Sequence, residues 1–162
     1  MTADIKINKI KILNDLTAEI SYKSKTDLGT ENITYSGVEK VTDEFQQAFQ
    51  KAVNGFVATL PVLEKEQHLN KITMNCIQLD YDKSDILSHA LYSVKYAYND
   101  SSNSVVNINT PKLPIFREDF DEKTFCISGK DEQDLYNIIE LAKAYLNGDT
   151  RTKQMKLEIV AS

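Results

Sequence analysis

The residues near the C-terminus have the types and spacing of a docking peptide. They read Gln154-Met155-Lys156-Leu157-Glu158-Ile159, a glutamine followed at fixed spacing by two aliphatic residues. The Gln154 amide can hydrogen-bond at the rim of a pocket, Leu157 and Ile159 can fill hydrophobic subsites, and Met155 can add a supporting contact. An extended backbone presents these side chains without a folded scaffold. The pattern therefore predicts that Gln154, Met155, Leu157 and Ile159 bind another protein.

The same segment also alternates with a period of two, because its apolar residues are separated by single charged ones. That alternation is typical of an edge strand. Asn147-Gly148 just before it has the form of a helix stop, since glycine suits the left-handed residue that ends many helices. Residues 150–153 would then form a basic tether. The pattern predicts either a free tail or an edge strand over residues 150–162.

Three tyrosines suggest a second binding surface. Tyr92, Tyr96 and Tyr98 alternate along one predicted strand and fall on one of its faces, while Lys95 points to the other face. A row of aromatic rings can stack the bases of a single-stranded nucleic acid. Tyrosine also suits a half-buried sheet face that binds nothing. Without interleaved cations on the tyrosine face, the structural role is favoured and nucleic-acid binding is the alternative.

No group of residues has the spacing of a catalytic or metal site. The two histidines, His68 and His89, lack a serine or cysteine partner motif. The five glycines are isolated, so there is no phosphate-binding loop. Asp80, Asp82 and Asp85 resemble a calcium loop only in part, since the central glycine and the distal glutamate are missing. The sequence predicts a protein that is not an enzyme and uses no cofactor or metal.

Composition predicts a soluble cytoplasmic protein of one domain. The chain has 162 residues, 41% hydrophobic and 27% charged, which is enough for a packed core. No apolar run approaches the roughly 20 residues needed to span a membrane. The net charge of −5 makes the whole molecule a weak candidate for non-specific DNA binding. Cys76 and Cys126 lie in apolar strand-like contexts and are expected to be free thiols.

Hydrophobic periodicity divides the chain into two units of similar plan. In the first, residues 5–35 alternate as three strands, with a phase slip in the first strand that a β-bulge would explain. Thr42 then caps an amphipathic helix that runs towards Pro61. In the second, residues 72–108 alternate as three strands, again with a slip, and a helix follows whose apolar face ends near Leu146.

We therefore predict an α+β fold of two β-β-β-α units. Their antiparallel sheets could merge, with the two helices packed on one face and a C-terminal tail or edge strand. Residues 1–149 would form one domain, which could reflect a duplication of residues 1–61 and 70–149, followed by a tail over residues 150–162. Edge strands left open by a merged sheet also make a homodimer plausible.

Two segments resemble a known group of proteins. Asn107-Ile108-Asn109-Thr110-Pro111 and the helix from Leu135 to Gly148, followed by a basic linker and a Gln-x-x-Leu end, are similar to small uncharacterised phage and prophage proteins of Gram-positive bacteria. Members of that group are encoded with replication and recombination genes. The group has no established catalytic residues, so the resemblance transfers none. Here Asp149-Thr150 and Ile159 depart from its pattern.

The resemblance implies a non-enzymatic accessory protein of phage DNA replication or recombination, acting in the host cytoplasm. Its expected partner is the bacterial DNA polymerase sliding clamp, because Gln-x-x-Leu-x-aliphatic peptides are the form in which replication proteins dock on that ring. Two alternatives stay open. One is single-stranded nucleic-acid binding through the tyrosine face. The other is inhibition of a host defence protein through the acidic run from Glu118 to Glu122.

Overall fold

A computed structural model describes residues 4–60, 69–97, 105–120 and 125–161 of the chain. The side chains of Asp4 and of residues 149–161 lie outside the description. The strands are β1 (Asp4–Ile12), β2 (Ala18–Thr26), β3 (Gly29–Ser36), β4 (Ile72–Tyr81), β5 (Leu87–Ala97), β6 (Val105–Asn109) and β7 (Leu113–Pro114). The helices are α1 (Asp43–Lys51), α2 (Val53–Val57) and α3 (Gly129–Ala161).

All described strands belong to one antiparallel sheet in the order β3-β2-β1-β4-β5-β6, and the short β7 pairs with the other end of β5. The two units meet where β1 pairs with β4. The helices pack against one another and against the same side of the sheet, over a single hydrophobic core. The predicted α+β fold is confirmed, with both β-β-β-α units merged into one sheet.

Both predicted phase slips are register shifts in the sheet. One lies between Ile7 and Lys9 of β1, and the other between Met74 and Cys76 of β4. Each restores the inward direction of the apolar residues that follow it. The Tyr81 hydroxyl donates a hydrogen bond of 2.8 Å to the carbonyl of Ile7, at the first of these shifts. A side chain of β4 therefore supports the irregular part of β1.

The first turns of the two units have the same geometry. In the turns of residues 13–17 and 82–86, the first N–H donates to the carbonyl four residues on, at 2.8 and 2.9 Å. The fourth residue, Leu16 or Asp85, has a positive φ of 66° or 64°. The two turns are the same number of residues apart in the chain as Lys9 and Gln78 are. Lys9 and Gln78 are therefore equivalent positions of the two units, and they pair across β1 and β4. An approximate two-fold axis thus passes through that pair. Duplication of residues 1–61 and 70–149 stays a prediction.

The first predicted helix is divided in two. Thr42 accepts a 3.1 Å hydrogen bond from the Phe45 N–H and begins α1 as predicted. The helix breaks at Ala52, where hydrogen bonds to residues three positions back replace the regular pattern. Gly55 of α2 then lies so close to Tyr92 that a Cβ there would be 2.6 Å from the phenolic oxygen. The break allows the helix backbone to approach β5.

The prediction that α3 ends at Asn147-Gly148 is wrong. The backbone stays helical to Ala161, so residues 150–161 are neither an extended tail nor an edge strand. Among the described glycines, positive φ occurs at Gly29 and Gly129, and Gly148 does not adopt the left-handed conformation of a C-cap. The residues that follow are rich in arginine, lysine, glutamine, methionine, leucine and glutamate. These residue types favour a helix, and alternation over six residues did not outweigh them.

The helices pack across the boundary between the units. Both helices of the first unit contact β4, and α3 of the second contacts β1 and α1. The Gln50 side chain of α1 bonds two backbone groups of β4, donating to the Ile72 carbonyl at 2.9 Å and accepting from the Met74 N–H at 3.1 Å. The Tyr145 hydroxyl of α3 donates to the Glu39 carbonyl at 2.5 Å and accepts from the Ala18 N–H at 3.3 Å. Each unit is thus held by the helix of the other.

Candidate functional site

The sheet face opposite the helices is lined with lysine. Along β1, β2, β4 and β5 the apolar residues point to the core, so the alternate positions point outward. Outward positions of known register carry lysines in both units: Lys6, Lys9, Lys11, Lys23, Lys25 and Lys95. The described acidic residues on this face include Glu19, opposite Lys11, Asp80, opposite His89, and Asp82 at the end of β4. The open face is therefore basic, although the chain has a net charge of −5.

A groove of about 850 Å³ crosses this face from β2 to β5. Its cations are Lys6, Lys9, Lys23 and Lys112, and hydroxyl, amide and imidazole groups of β1, β2, β4 and β5 lie between them. The neutral polar groups are those of Asn8, Ser21, Gln78, Ser88 and His89, and two carboxylates, Asp80 and Asp82, also line the groove. Most of its lining residues stand on paired strands, which fix the positions of their backbones. It offers several donors and positive charges to one ligand.

Part of this positive charge is balanced at the ends of the groove. Lys6 pairs with Asp85, and Lys112 pairs with Asp80 at 2.7 Å. Lys6 and Lys23 also stand directly opposite each other on β1 and β2. Like charges placed opposite each other in a sheet are destabilising. No ion pair within the described residues joins Lys9 or Lys23 to an acidic group.

Cys76 lies below these lysines on β4. It pairs with Lys11 on one side and Ser93 on the other, and it is buried although it does not belong to the core between sheet and helices. Burial raises the pKa of its thiol, against the opposing influence of Lys9 and Lys11. The thiol is therefore protonated at neutral pH and unreactive. Cys126 is partly buried, and both cysteines are free.

The tyrosine face does not form an open platform. Tyr92 is 1% exposed and lies under α2, and burial raises the pKa of its phenol strongly. Tyr96 is partly buried against the same core, and Tyr98 lies outside the described residues. The two described tyrosines therefore face the helices, where Tyr92 cannot stack a base. Lys95 points to the opposite face, as predicted. The structural role of these tyrosines accounts for their spacing.

The proposed docking residues all lie on the last part of α3. The backbone at Gln154, Met155, Leu157 and Ile159 is helical, and their side chains lie outside the description. The last residue of α3 known to be buried is Leu146, and Asn147 and Gly148 are exposed. On a helical backbone, positions 157 and 159 are separated by about 200° around the axis. The helix therefore does not bring these two positions to one side.

The remaining candidates for chemistry have structural surroundings. Asp82 caps the turn between β4 and β5 by accepting from Ser84 and Ile86, and it pairs with Arg117 at 2.8 Å. These hydrogen bonds, led by the one from Ile86, lower its pKa. His89 contacts the Ser88 hydroxyl at 3.0 Å, and His68 lies outside the description. Within the described residues, no three His, Cys, Asp or Glu side chains are grouped to hold a metal ion.

Sequence reasoning missed the lysine groove. Its signal was present, because lysines occupy the polar positions of the alternating strands at Lys6, Lys11, Lys23 and Lys25. The net charge of −5 concealed it, because net charge does not describe how charge is distributed over a surface. The order of the strands was also needed, since it places lysines from both units side by side.

Comparisons with protein-family models, curated proteins and solved structures gave no significant match to this chain. The fold and the surface define an α+β protein with a helix-covered sheet and a basic open face. No described helix is both long enough and apolar enough to cross a bilayer.

Proposed function

We propose that this chain is a non-enzymatic accessory protein of phage DNA replication or recombination that docks on the bacterial DNA polymerase sliding clamp. The single observation that carries the proposal is the sequence Gln154-Met155-Lys156-Leu157-Glu158-Ile159 at the end of α3. The segment follows the last residue of α3 known to pack in the core, Leu146. It is thus separated along the chain from the part of α3 that holds the fold together.

Docking requires this segment to leave the helical conformation. An extended backbone directs Leu157 and Ile159 to the same side, whereas a helix separates the two positions by about 200°. Helices of fewer than about 12–15 residues are marginal in water unless they are packed. Residues 149–161 follow Gly148, which has a low helix propensity. Unwinding this end therefore costs little free energy compared with burying two aliphatic side chains, about 1.5–3 kcal/mol each.

The test is the affinity of the purified protein for a purified bacterial sliding clamp, measured by titration calorimetry. Replacing both Leu157 and Ile159 by alanine is expected to weaken binding at least tenfold, since each 1.4 kcal/mol changes affinity about tenfold. The matched control replaces Lys156 and Glu158 by alanine, which leaves Gln154, Met155, Leu157 and Ile159 intact. Equal affinity for the two double variants, or no binding by the intact protein, would overturn the proposal.

A second pair of variants tests the extended form. Lys153→Pro interrupts α3 before Gln154, so that the docking segment no longer continues the packed part of the helix, while Lys153→Ala removes the same charge and keeps a good helix former. If the clamp takes the segment as an extended peptide, the proline variant binds at least as tightly as the alanine variant. Loss of clamp binding in the proline variant alone would show that the helix itself is recognised.

A further inference from the structure

We infer that the groove on the open sheet face binds the phosphate backbone of a single-stranded nucleic acid. The site is separate from the segment proposed for clamp docking, and it lies on the side of the sheet opposite the tyrosines. Lys6, Lys9 and Lys23 come from β1 and β2, and Lys112 closes the groove beside β7. The described lining residues of the groove run from Lys6 to Lys112.

The distribution of charge carries the inference. The chain has 24 acidic and 19 basic residues, yet lysine dominates the outward positions of β1 and β2. The described acidic residues are mostly in turns and in the helices, including Asp43, Glu44, Asp131 and Glu132 in first turns. The sheet therefore separates charge, with a positive open face and more acidic surroundings. An anionic ligand gains from each lysine it meets, above all from Lys9 and Lys23, which no ion pair within the described residues neutralises.

The lining of the groove favours a polynucleotide over an acidic peptide. Between its lysines lie the polar side chains of Asn8, Ser21, Gln78 and His89, which can hydrogen-bond phosphate, sugar or base edges. A peptide needs apolar pockets for its anchoring side chains. The apolar residues of β4 that border the groove, Leu79 and Tyr81, belong mainly to the core. Neighbouring β-strands lie about 4.8 Å apart, so the groove is about 15 Å across from β2 to β5. This width suits a single strand of nucleic acid.

The experiment measures fluorescence anisotropy of a labelled oligothymidylate with the full-length protein as salt is varied. The test variant is Lys9→Gln with Lys23→Gln, in the centre of the groove. The control is Lys40→Gln with Lys130→Gln, two exposed lysines outside it, so that the net charge of both variants is the same. Binding at about 50 mM salt is expected to weaken roughly tenfold in the test variant alone. Each phosphate contact contributes about 0.7 to the magnitude of the slope of log affinity against log salt concentration. Losing two contacts should therefore reduce that magnitude by about 1.4.

Four outcomes would overturn the inference, three of them at the level of nucleic-acid binding by the groove. The intact protein fails to bind at low salt, both double variants lose affinity equally, or polyglutamate displaces the oligonucleotide at the same charge concentration. Tighter binding of duplex than of single-stranded DNA would overturn the assignment to single strands. A variant truncated after Lys153 should bind the oligonucleotide as well as the intact protein does. The clamp titration and the oligonucleotide titration therefore test different surfaces, and either can fail without the other.

Discussion

At the scale of single residues, the sequence identified which side chains are apolar and how they alternate, but not where their polar atoms go. The spacing favoured a structural role for Tyr92, and its side chain is packed in the core. Spacing does not reveal that the Tyr145 hydroxyl bonds backbone groups of the other unit. It also does not reveal which face of the sheet the helices cover. The tyrosines could stack bases only if they lay on the uncovered face.

Tyr81 links one such polar atom to the stability of the fold. Burial raises its pKa from 10.0 to about 12, and its hydroxyl donates to the Ile7 carbonyl. A phenol whose pKa is higher in the folded state contributes stability that is complete below pH 10 and is lost as pH rises towards about 12. Tyr92, whose pKa burial also raises, adds to this loss. We expect the urea midpoint of the protein to fall steeply over that range.

Replacing Tyr81 by phenylalanine should lower the free energy of unfolding at pH 7 by about 1–3 kcal/mol, because a carbonyl at the register shift loses its donor. The same variant should lose less stability than the wild type between pH 10 and about 12. Urea titrations at several pH values measure both effects. Tyr136→Phe, at a position 42% exposed, is the control and should change stability at pH 7 by less than about 0.5 kcal/mol. Parallel pH profiles for wild type and Tyr81→Phe would contradict the prediction.

At the scale of elements, periodicity was informative wherever one face of a long segment is buried. The strands and the α1 cap were predicted because a half-buried strand alternates and a helix start needs an acceptor. The end of α3 was not predicted correctly. Beyond Leu146 the sequence has no pattern of burial, and only the helix propensity of the individual residues remains as a signal. The lysine groove illustrates the reverse case. Polar positions have no periodic requirement of their own, so their function depends on which strands lie side by side.

Gly148 allows the helical end of α3 to be tested. A Cβ at this position would meet no heavy atom within 4 Å apart from its chain neighbours and the backbone of its own helix, and the residue is exposed within a helix. Alanine should therefore stabilise the helix by up to about 1 kcal/mol. Circular dichroism and thermal unfolding would show a gain in helical signal and in Tm. Gly29→Ala is the control, because its φ of 128° disfavours any L side chain and the change should destabilise. A Gly148→Ala variant that loses stability would indicate that residue 148 needs a left-handed conformation.

At the scale of the whole molecule, the sequence predicted two similar units and left their arrangement open. The order β3-β2-β1-β4-β5-β6 depends on the pairing of β1 with β4 in the centre, where Lys9, Ile10 and Lys11 meet Gln78, Ile77 and Cys76. Such pairing between distant segments has no local signature, because loop closure and edge complementarity determine it. The packing of each unit's helices against the other unit also has no local signature in the sequence. It follows from which faces remain to be buried once the sheets have merged.

This packing predicts that neither unit folds alone. A fragment of residues 1–61 keeps α1 and α2 but loses β4, which both contact, and a fragment of residues 70–162 keeps α3 but loses β1 and α1. Each fragment would expose core residues such as Phe45 or Leu135, which are 1% exposed in the intact chain. Each alone should lack cooperative unfolding, whereas an equimolar mixture should recover the helical signal and a single transition. Circular dichroism on the fragments and on their mixture measures this recovery, with the intact chain as reference. Cooperative folding of either fragment alone would show that its helix covers its own strands, which would contradict the packing of α2 on β4 and of α3 on β1.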